Sequence, residues 1–307
     1  MQAREQNMVE TTKKPVFTGV ATALCTPFSG GEVSLDIFRE MIERQIDAGV
    51  SALVVCGTTG EAPTLTDREK LKLITCAVET AAGRVPIIAG TGSPCTDKML
   101  RLSASARDAG VDALLIVTPY YNRGTEDGVL RYYETAAELG PPVILYNVPS
   151  RTGGDLSVPL LRRLSRHENI VALKEAAPVA KMAAVLADPE CDLRVYSGND
   201  ADTLPALVLG AAGAVSVISN ILPRHTTELC GAFFRGDTET ARKEHTALLP
   251  LARLLFEETS PVPVKYLCGM LGICPAETRL PLGTVSETLA KKLESAYWRI
   301  CPSGEEK

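Results

Sequence analysis

Eight short apolar runs, each followed by an amphipathic stretch of helical length and none separated by a linker, constrain this 307-residue chain more than any other feature. The runs are Val16–Leu24, Ala52–Cys56, Val85–Ala89, Ala113–Val117, Val143–Tyr146, Ile170–Lys174, Leu193–Ser197 and Gly213–Val217. Most are rich in β-branched residues and apolar without interruption, as parallel strands covered on both faces must be. Between them lie helix signals. Asp36 precedes a periodic stretch that stops at Gly49, and Thr66 with Glu69 forms a capping box ahead of a stretch ending at Gly83. Thr96 opens another that closes at Gly110, and similar segments run over 126–139, 158–165, 178–187 and 201–209. After the eighth run, 223–235, 238–256, 261–271 and 286–301 read as further helices.

This alternation predicts an α/β fold, a (β/α)8 TIM barrel with appended C-terminal helices. The expected organisation is a flexible leader over 1–15, the barrel over 16–236, and a helical extension packed on it over 237–307. A doubly wound sheet is the rival, but it calls for a glycine fingerprint after the first strand, where the chain reads TPFSGGE. GTGS at Gly90–Ser93 lacks the third glycine, and no P-loop occurs.

A net charge of −5 without a Lys/Arg-rich stripe points away from nucleic acid and anionic membranes as partners. The first fourteen residues, MQAREQNMVETTKK, are polar and lack the apolar core of a signal peptide or membrane span; Met8 is an alternative start. Nine scattered cysteines with no C-x-x-C pair read as free thiols in a reducing cytoplasm. Three histidines, none beside a cysteine pair, offer no zinc pattern, so neither metal nor cofactor is expected.

In a barrel of this kind the chemistry stands at the C-terminal ends of the strands. Those ends read GTTGE (Gly57–Glu61), TPYYN (Thr118–Asn122), YNVPSRTG (Tyr146–Gly153), LKEA (Leu173–Ala176) and SGND (Ser197–Asp200). Lys174 closes the apolar run NIVALK, which leads it into the barrel. Lysine amines titrate near 10.4, so well under about 0.1% is neutral at pH 7, and one that attacks a carbonyl has to be desolvated. By itself such a lysine also reads as a rim residue or a partner of Glu175. Tyr146 ends the adjacent strand and can pass a proton if a second hydroxyl relays it; Thr58 is the candidate relay. Taken singly, these two are a half-buried aromatic and a strand-end β-branched residue. Thr59 and its flanking glycines suggest a turn whose N–H groups face a small carboxylate, or an ordinary turn. Arg151, in a Pro/Gly-bounded loop, can grip a carboxylate with two parallel hydrogen bonds, or lie on the surface.

These motifs, in this order and spacing, resemble the dihydrodipicolinate synthase/N-acetylneuraminate lyase superfamily. The likeness runs from about Val16 to the end, taking in PVPVK (Pro261–Lys265) and RLPL (Arg279–Leu282). Thr58–Thr59 and the arginine of YNVPSRTG resemble its synthase branch. The resemblance implies a lyase of lysine and diaminopimelate biosynthesis that joins pyruvate, held on Lys174 as a Schiff base, to L-aspartate 4-semialdehyde. It implies that Tyr146, Thr58 and Tyr121 relay protons, with Tyr121 lent by a neighbouring subunit of a homotetramer built as a dimer of dimers. Thr59 would hold the pyruvate carboxylate, Val215 and Gly198 would line the substrate pocket, Arg151 would take the aldehyde substrate's carboxylate, and Tyr120 would lie near the subunit contact.

One departure from the resemblance carries a regulatory expectation. Lysine-inhibited members have a feedback site rich in His, Asn and Glu where this chain has Pro63, Asp67, Lys70, Pro94 and Lys98. Lys98 replaces a carboxylate and should repel the inhibitor's ammonium, so insensitivity to L-lysine is expected. Three other readings stay open at this point. One is a pyruvate-dependent aldolase acting on sugar acids or hydroxy-oxo acids; another is a silent paralogue that binds a keto acid. A phosphate-binding barrel is the third, although 197–200 and 214–219 supply no glycine-rich loop.

Overall fold

A computed structural model describes residues 11–302. Eight parallel strands close into a barrel in chain order: β1 (Gly19–Ala23), β2 (Ala52–Val55), β3 (Ile87–Gly90), β4 (Ala113–Val117), β5 (Val143–Asn147), β6 (Ile170–Glu175), β7 (Arg194–Ser197) and β8 (Gly213–Ser216). β1 pairs with both β8 and β2, which completes the ring and removes the edges that an open sheet would leave. A hairpin of Phe28–Ser29 with Glu32–Val33 sits outside it.

Two apolar layers follow from the period-two alternation of the strands. Ala21, Ala52, Ile88, Leu115, Ile144, Ala172 and Val215 fill the barrel interior. Their neighbours Val20, Leu53, Ile87, Leu114, Leu145 and Leu173 face outward into the shell formed with the helices. Among the helices, α1 (Leu35–Asp47), α2 (Asp67–Ala81), α3 (Thr96–Asp108) and α4 (Glu126–Ala137) cover the first half. The capping box is present: the Thr66 hydroxyl accepts from Glu69 N–H and the Glu69 carboxylate accepts from Thr66 N–H. α1 starts earlier than expected, at Leu35 behind Ser34, not at an Asp36 cap.

The first strand is shorter than its apolar run. Gly19 lies at φ +112°, a left-handed-side conformation that breaks the extended ladder, so Val16–Thr18 stay outside the strand. Phe17 instead stacks on Tyr196 with ring centroids 4.1 Å apart, and the Tyr196 hydroxyl donates to Phe17 carbonyl at 2.8 Å. Of the expected leader, residues 1–10 lie outside the described residues. Thr11 to Lys14 are held against the barrel: the Lys13 ammonium donates to the carbonyls of Ser165, His167 and Ile170, and Arg194 donates to the carbonyls of Thr11 and Lys13.

Past β8, Pro223–Phe234 packs beside β1, and three more helices follow at Thr238–Leu254, Val262–Met270 and Glu287–Ile300. Among the described residues no helix is long and apolar enough to cross a membrane. The nine cysteines are unpaired, and all but Cys95 are buried.

Candidate active site

Strand register brings the central pair together. Tyr146 on β5 stands opposite Lys174 on β6, so two side chains 28 residues apart in sequence point into the barrel from adjacent strands at one level. The Lys174 amine lies over the Tyr146 ring, 4.1 Å from its centroid, and Lys174 is only 5% exposed. A ring face attracts a cation and does so more strongly when water is excluded. The ring face is therefore placed to support the positive charge of a protonated imine formed at that nitrogen.

Glu175 does not pair with Lys174. It is next along the strand and so on its other face, where both its oxygens accept from the Asn147 amide at 2.9 Å and one accepts from Ala177 N–H at 2.8 Å. Burial pushes its carboxyl up from the usual range, and the bonds from Asn147 and Ala177 pull it back. Asn147 also donates to Asp155. This network locks β5 to β6 just beyond the Tyr146–Lys174 level.

Asp200 follows β7. Its carboxylate accepts from the N–H groups of Val217 and Ile218 at 2.9 Å each. Burial raises its carboxyl, opposed by the Ser216 hydroxyl, those two N–H groups and the charge of Lys174. Asp200 is thus an acidic group within electrical reach of the lysine. Gly198 leaves the space in which Lys174 extends: a Cβ there would stand 3.1 Å from Lys174 Cε and 3.0 Å from both Ala176 Cβ and the Glu175 carbonyl. Val215 is buried in the interior layer, opposite Ala21.

Thr58, Tyr146 and Arg151 share one cavity of about 260 Å³, walled also by Val148 and Thr152. The loop that presents Thr58 is tightly wound. Cys56 and Glu61 both sit at left-handed φ near +57° and +56°, and Gly60 carbonyl accepts from the Thr26 hydroxyl at 2.6 Å. Thr59 is buried in this loop and does not wall the cavity. Arg151 lies in a short helical turn, Pro149–Thr152, and donates to Ser260 carbonyl at 3.1 Å, which leaves the rest of its guanidinium at the mouth.

Tyr121 stands apart. It is 97% exposed at φ +69°, away from the cavity walls, whereas its neighbour Tyr120 lines the cavity. The chain by itself brings Lys174, Tyr146 and Thr58 to one region and leaves Tyr121 outside it. Among the described residues no group of three or more His, Cys, Asp or Glu is placed to hold a metal ion.

Several participants escaped the sequence reading. Thr118 anchors Tyr146 by accepting that role from two directions: its N–H and its hydroxyl both donate to Tyr146 carbonyl. Asn147, Glu175 and Asp200 lay inside the motifs already noted, but nothing in their spacing distinguished a buried clamp from a polar strand end.

Comparisons with known proteins find matches over most of the chain. The model of the dihydrodipicolinate synthetase family matches residues 16–298. The chain is 43% identical over 280 residues to a 4-hydroxy-tetrahydrodipicolinate synthase of Geobacter sulfurreducens, covering 91% of this chain and 97% of that one. It is 44% identical over 281 residues to the enzyme of the same name from Aquifex aeolicus, covering 91% and 96%. The solved dihydrodipicolinate synthase of Aquifex aeolicus superimposes with a TM-score of 0.90 at 41% identity, over 95% of this chain and all of that one. A solved relative described as a monomeric dihydrodipicolinate synthase variant superimposes with a TM-score of 0.90 at 36% identity, over 93% and 97%.

Proposed function

The chain belongs to the dihydrodipicolinate synthetase family, and from that premise we propose that Lys174 is the amine through which it activates pyruvate. The activity of its relatives, 4-hydroxy-tetrahydrodipicolinate synthase, is its activity: a lyase of lysine and diaminopimelate biosynthesis. The substrates of that reaction are pyruvate and L-aspartate 4-semialdehyde.

In this reading the neutral Lys174 amine attacks the pyruvate carbonyl and water leaves, giving an imine. Protonated, the imine is an electron sink, so a methyl proton departs and an enamine forms without a metal or cofactor. The ring face of Tyr146, 4.1 Å from the nitrogen, supports the positive charge that this intermediate carries. The enamine carbon then attacks the aldehyde of the second substrate. The amine of that substrate closes on the imine carbon, and Lys174 is expelled to leave the cyclic product.

Tyr146, Thr58 and Tyr121 serve as the proton relay, Thr59 holds the pyruvate carboxylate beside Val215 and Gly198, and Arg151 grips the carboxylate of the aldehyde substrate. What supports the Tyr121 role is its cost. A tyrosine at φ +69° is disfavoured by about 1–2 kcal/mol, yet among the described residues its ring stands 97% exposed. A second copy lending and receiving this residue gives that conformation a purpose, and we read the working form as a homotetramer, a dimer of dimers. We place the reaction in the cytoplasm, a reading supported by nine cysteines that form no disulfide.

The observation that carries the proposal is the buried Lys174 amine against Tyr146. Borohydride reduction in the presence of pyruvate should add one pyruvate-derived group per chain, mapped to Lys174. Lys174→Arg and Lys174→Ala should abolish both trapping and turnover. A label mapped to another lysine, or wild-type turnover in either variant, overturns it. For Tyr121, a proven monomer retaining full specific activity would remove the residue from the relay.

A further inference from the structure

Glu175 stands beside Lys174 yet has no part in the chemistry above. It is wholly buried, and among the described residues its carboxylate meets no cation within ion-pair distance. Lys181, whose charge it feels, is bound at 2.8 Å to Asp155 instead. Only N–H groups hold the carboxylate: the Asn147 amide bonds both oxygens and Ala177 N–H bonds one. An unpaired carboxylate out of water is costly, and a fold retains one where its hydrogen bonds do something that an apolar side chain cannot.

Asn147 is itself fully buried and sits opposite Glu175 in the β5–β6 register. Its side-chain nitrogen carries two hydrogens and its oxygen carries none. The nitrogen faces both Glu175 oxygens and, at 2.7 Å, an oxygen of Asp155; the amide oxygen accepts from Leu156 N–H at 3.1 Å. The reverse orientation would set a carbonyl against carboxylates and an NH2 group against an N–H. Glu175 therefore fixes which way the amide points. That matters for the segment between Asn147 and Leu156, which leaves β5 at this residue and is tied back to its side chain at the far end. The segment carries Arg151, and Val148, Arg151 and Thr152 wall the cavity. Within it the N–H groups of Arg151 and Thr152 donate to Val148 carbonyl at 2.9 and 3.1 Å, so the short turn moves as one piece.

We propose that Glu175 is a positioning residue: by orienting the Asn147 amide it closes the base of the Arg151 turn and sets where the guanidinium stands for the carboxylate of the second substrate. This rests on the reading of Arg151 given above and adds a residue to it. Tyr146 and Lys174 lie on the opposite face of the same two strands. Backbone bonds from Ala176 N–H to Asn147 carbonyl and from Gly198 N–H to Glu175 carbonyl hold β6 between its neighbours without either side chain. The effect of Glu175 thus falls on the second substrate and spares the imine.

The test is steady-state kinetics on the intact enzyme, with pyruvate and L-aspartate 4-semialdehyde varied separately, beside the borohydride-trapping rate with pyruvate and the thermal midpoint. Glu175→Met keeps the bulk and removes both acceptors. It should raise KM for the aldehyde at least about tenfold, the loss of one aligned charge-assisted contact. Because that contact serves ground state and transition state alike, kcat and pyruvate trapping should stay within about threefold of wild type. Glu175→Gln keeps an oxygen toward Asn147 and should recover most of the lost affinity. Asp155→Ala removes the amide's other acceptor from the half-exposed surface and should shift the same KM in the same direction, so it decides the matter if Glu175→Met does not fold. In an Arg151→Ala background neither change should raise KM further, whereas a general loosening of the barrel would add to it. An unchanged KM for the aldehyde in the folded variants, a rise that persists without Arg151, or an equal loss of pyruvate trapping overturns the positioning role. Arg151→Ala with a wild-type KM would instead overturn the reading of Arg151, and the proposal with it.

Discussion

Glu61 and Lys265 meet at 2.8 Å with neither side chain exposed, although 204 residues separate them. The pair is fully bonded. Lys265 also donates to Thr26 carbonyl at 2.9 Å, and the second Glu61 oxygen accepts from Arg279 N–H at 3.0 Å. The Phe28 ring receives both cations, Lys265 at 4.3 Å and Arg279 at 4.4 Å. The effect is to fasten the loop that presents Thr58 to the C-terminal helices, so the extension is part of what holds the site.

Breaking this pair should be expensive. Lys265→Met leaves a buried carboxylate without its cation, at a cost of about 3–5 kcal/mol. The double variant Glu61→Gln/Lys265→Met removes both charges and should regain much of that stability. Urea unfolding of the two proteins decides it, and a single variant within about 1 kcal/mol of wild type would refute the clamp.

Gly198→Ala should slow imine formation without unfolding the barrel. The added methyl would lie within 3.1 Å of Lys174 Cε, so the lysine chain has to shift. Displacements of this size at a reacting group cost roughly ten- to a hundredfold in rate, with overpacking adding about 1–3 kcal/mol of instability. The readout is the borohydride-trapping rate beside the thermal midpoint. An unchanged rate would mean that Lys174 does not need the space.

Stability should fall in acid through Glu69. Its hydrogen bond from Arg279 is the main reason its carboxyl is depressed to about 2 from an ordinary 4.5, with the Thr66 cap adding to it. A depressed carboxylate stabilises the fold above its unfolded value and loses that contribution as pH falls through its folded value. The window is therefore about pH 4.5 down to about 2, and the contribution about 2 kcal/mol after allowing for its partial exposure. Glu69→Gln should show a shallower loss of urea stability across that window. A slope equal to wild type would assign the acid sensitivity elsewhere.

L-Lysine should leave the steady-state rate unchanged. The sequence argument rested on Lys98, but Lys98 is half exposed and partly balanced by Asp67 at 3.4 Å. A second repulsion comes from Lys70, buried in the cavity wall. Half-maximal inhibition at submillimolar L-lysine would contradict both.

The barrel was legible because parallel strands buried on both faces have to be short, continuous and apolar, and because glycines and caps punctuate the helices between them. Lys174 was legible for a related reason: a charged residue ending an apolar strand is conspicuous against its neighbours. The expected strand starting at Val16 was too long because a glycine at φ +112° is invisible in a run of apolar letters. Lys70 sat within an ordinary amphipathic helix pattern, where a lysine reads as solvent-facing.

The chain's own letters settled the eightfold alternation, the strand ends and the amine that stands at one of them, since each depends on local periodicity and on contrast with adjacent residues. Register alone decided that Tyr146 faces Lys174. The folding of distant segments onto one another decided that Glu61 meets Lys265, that Asp200 lies within reach of the lysine, and that Lys70 ends up buried. Those outcomes depend on distance and exclusion of water, and neither exists until the barrel has closed.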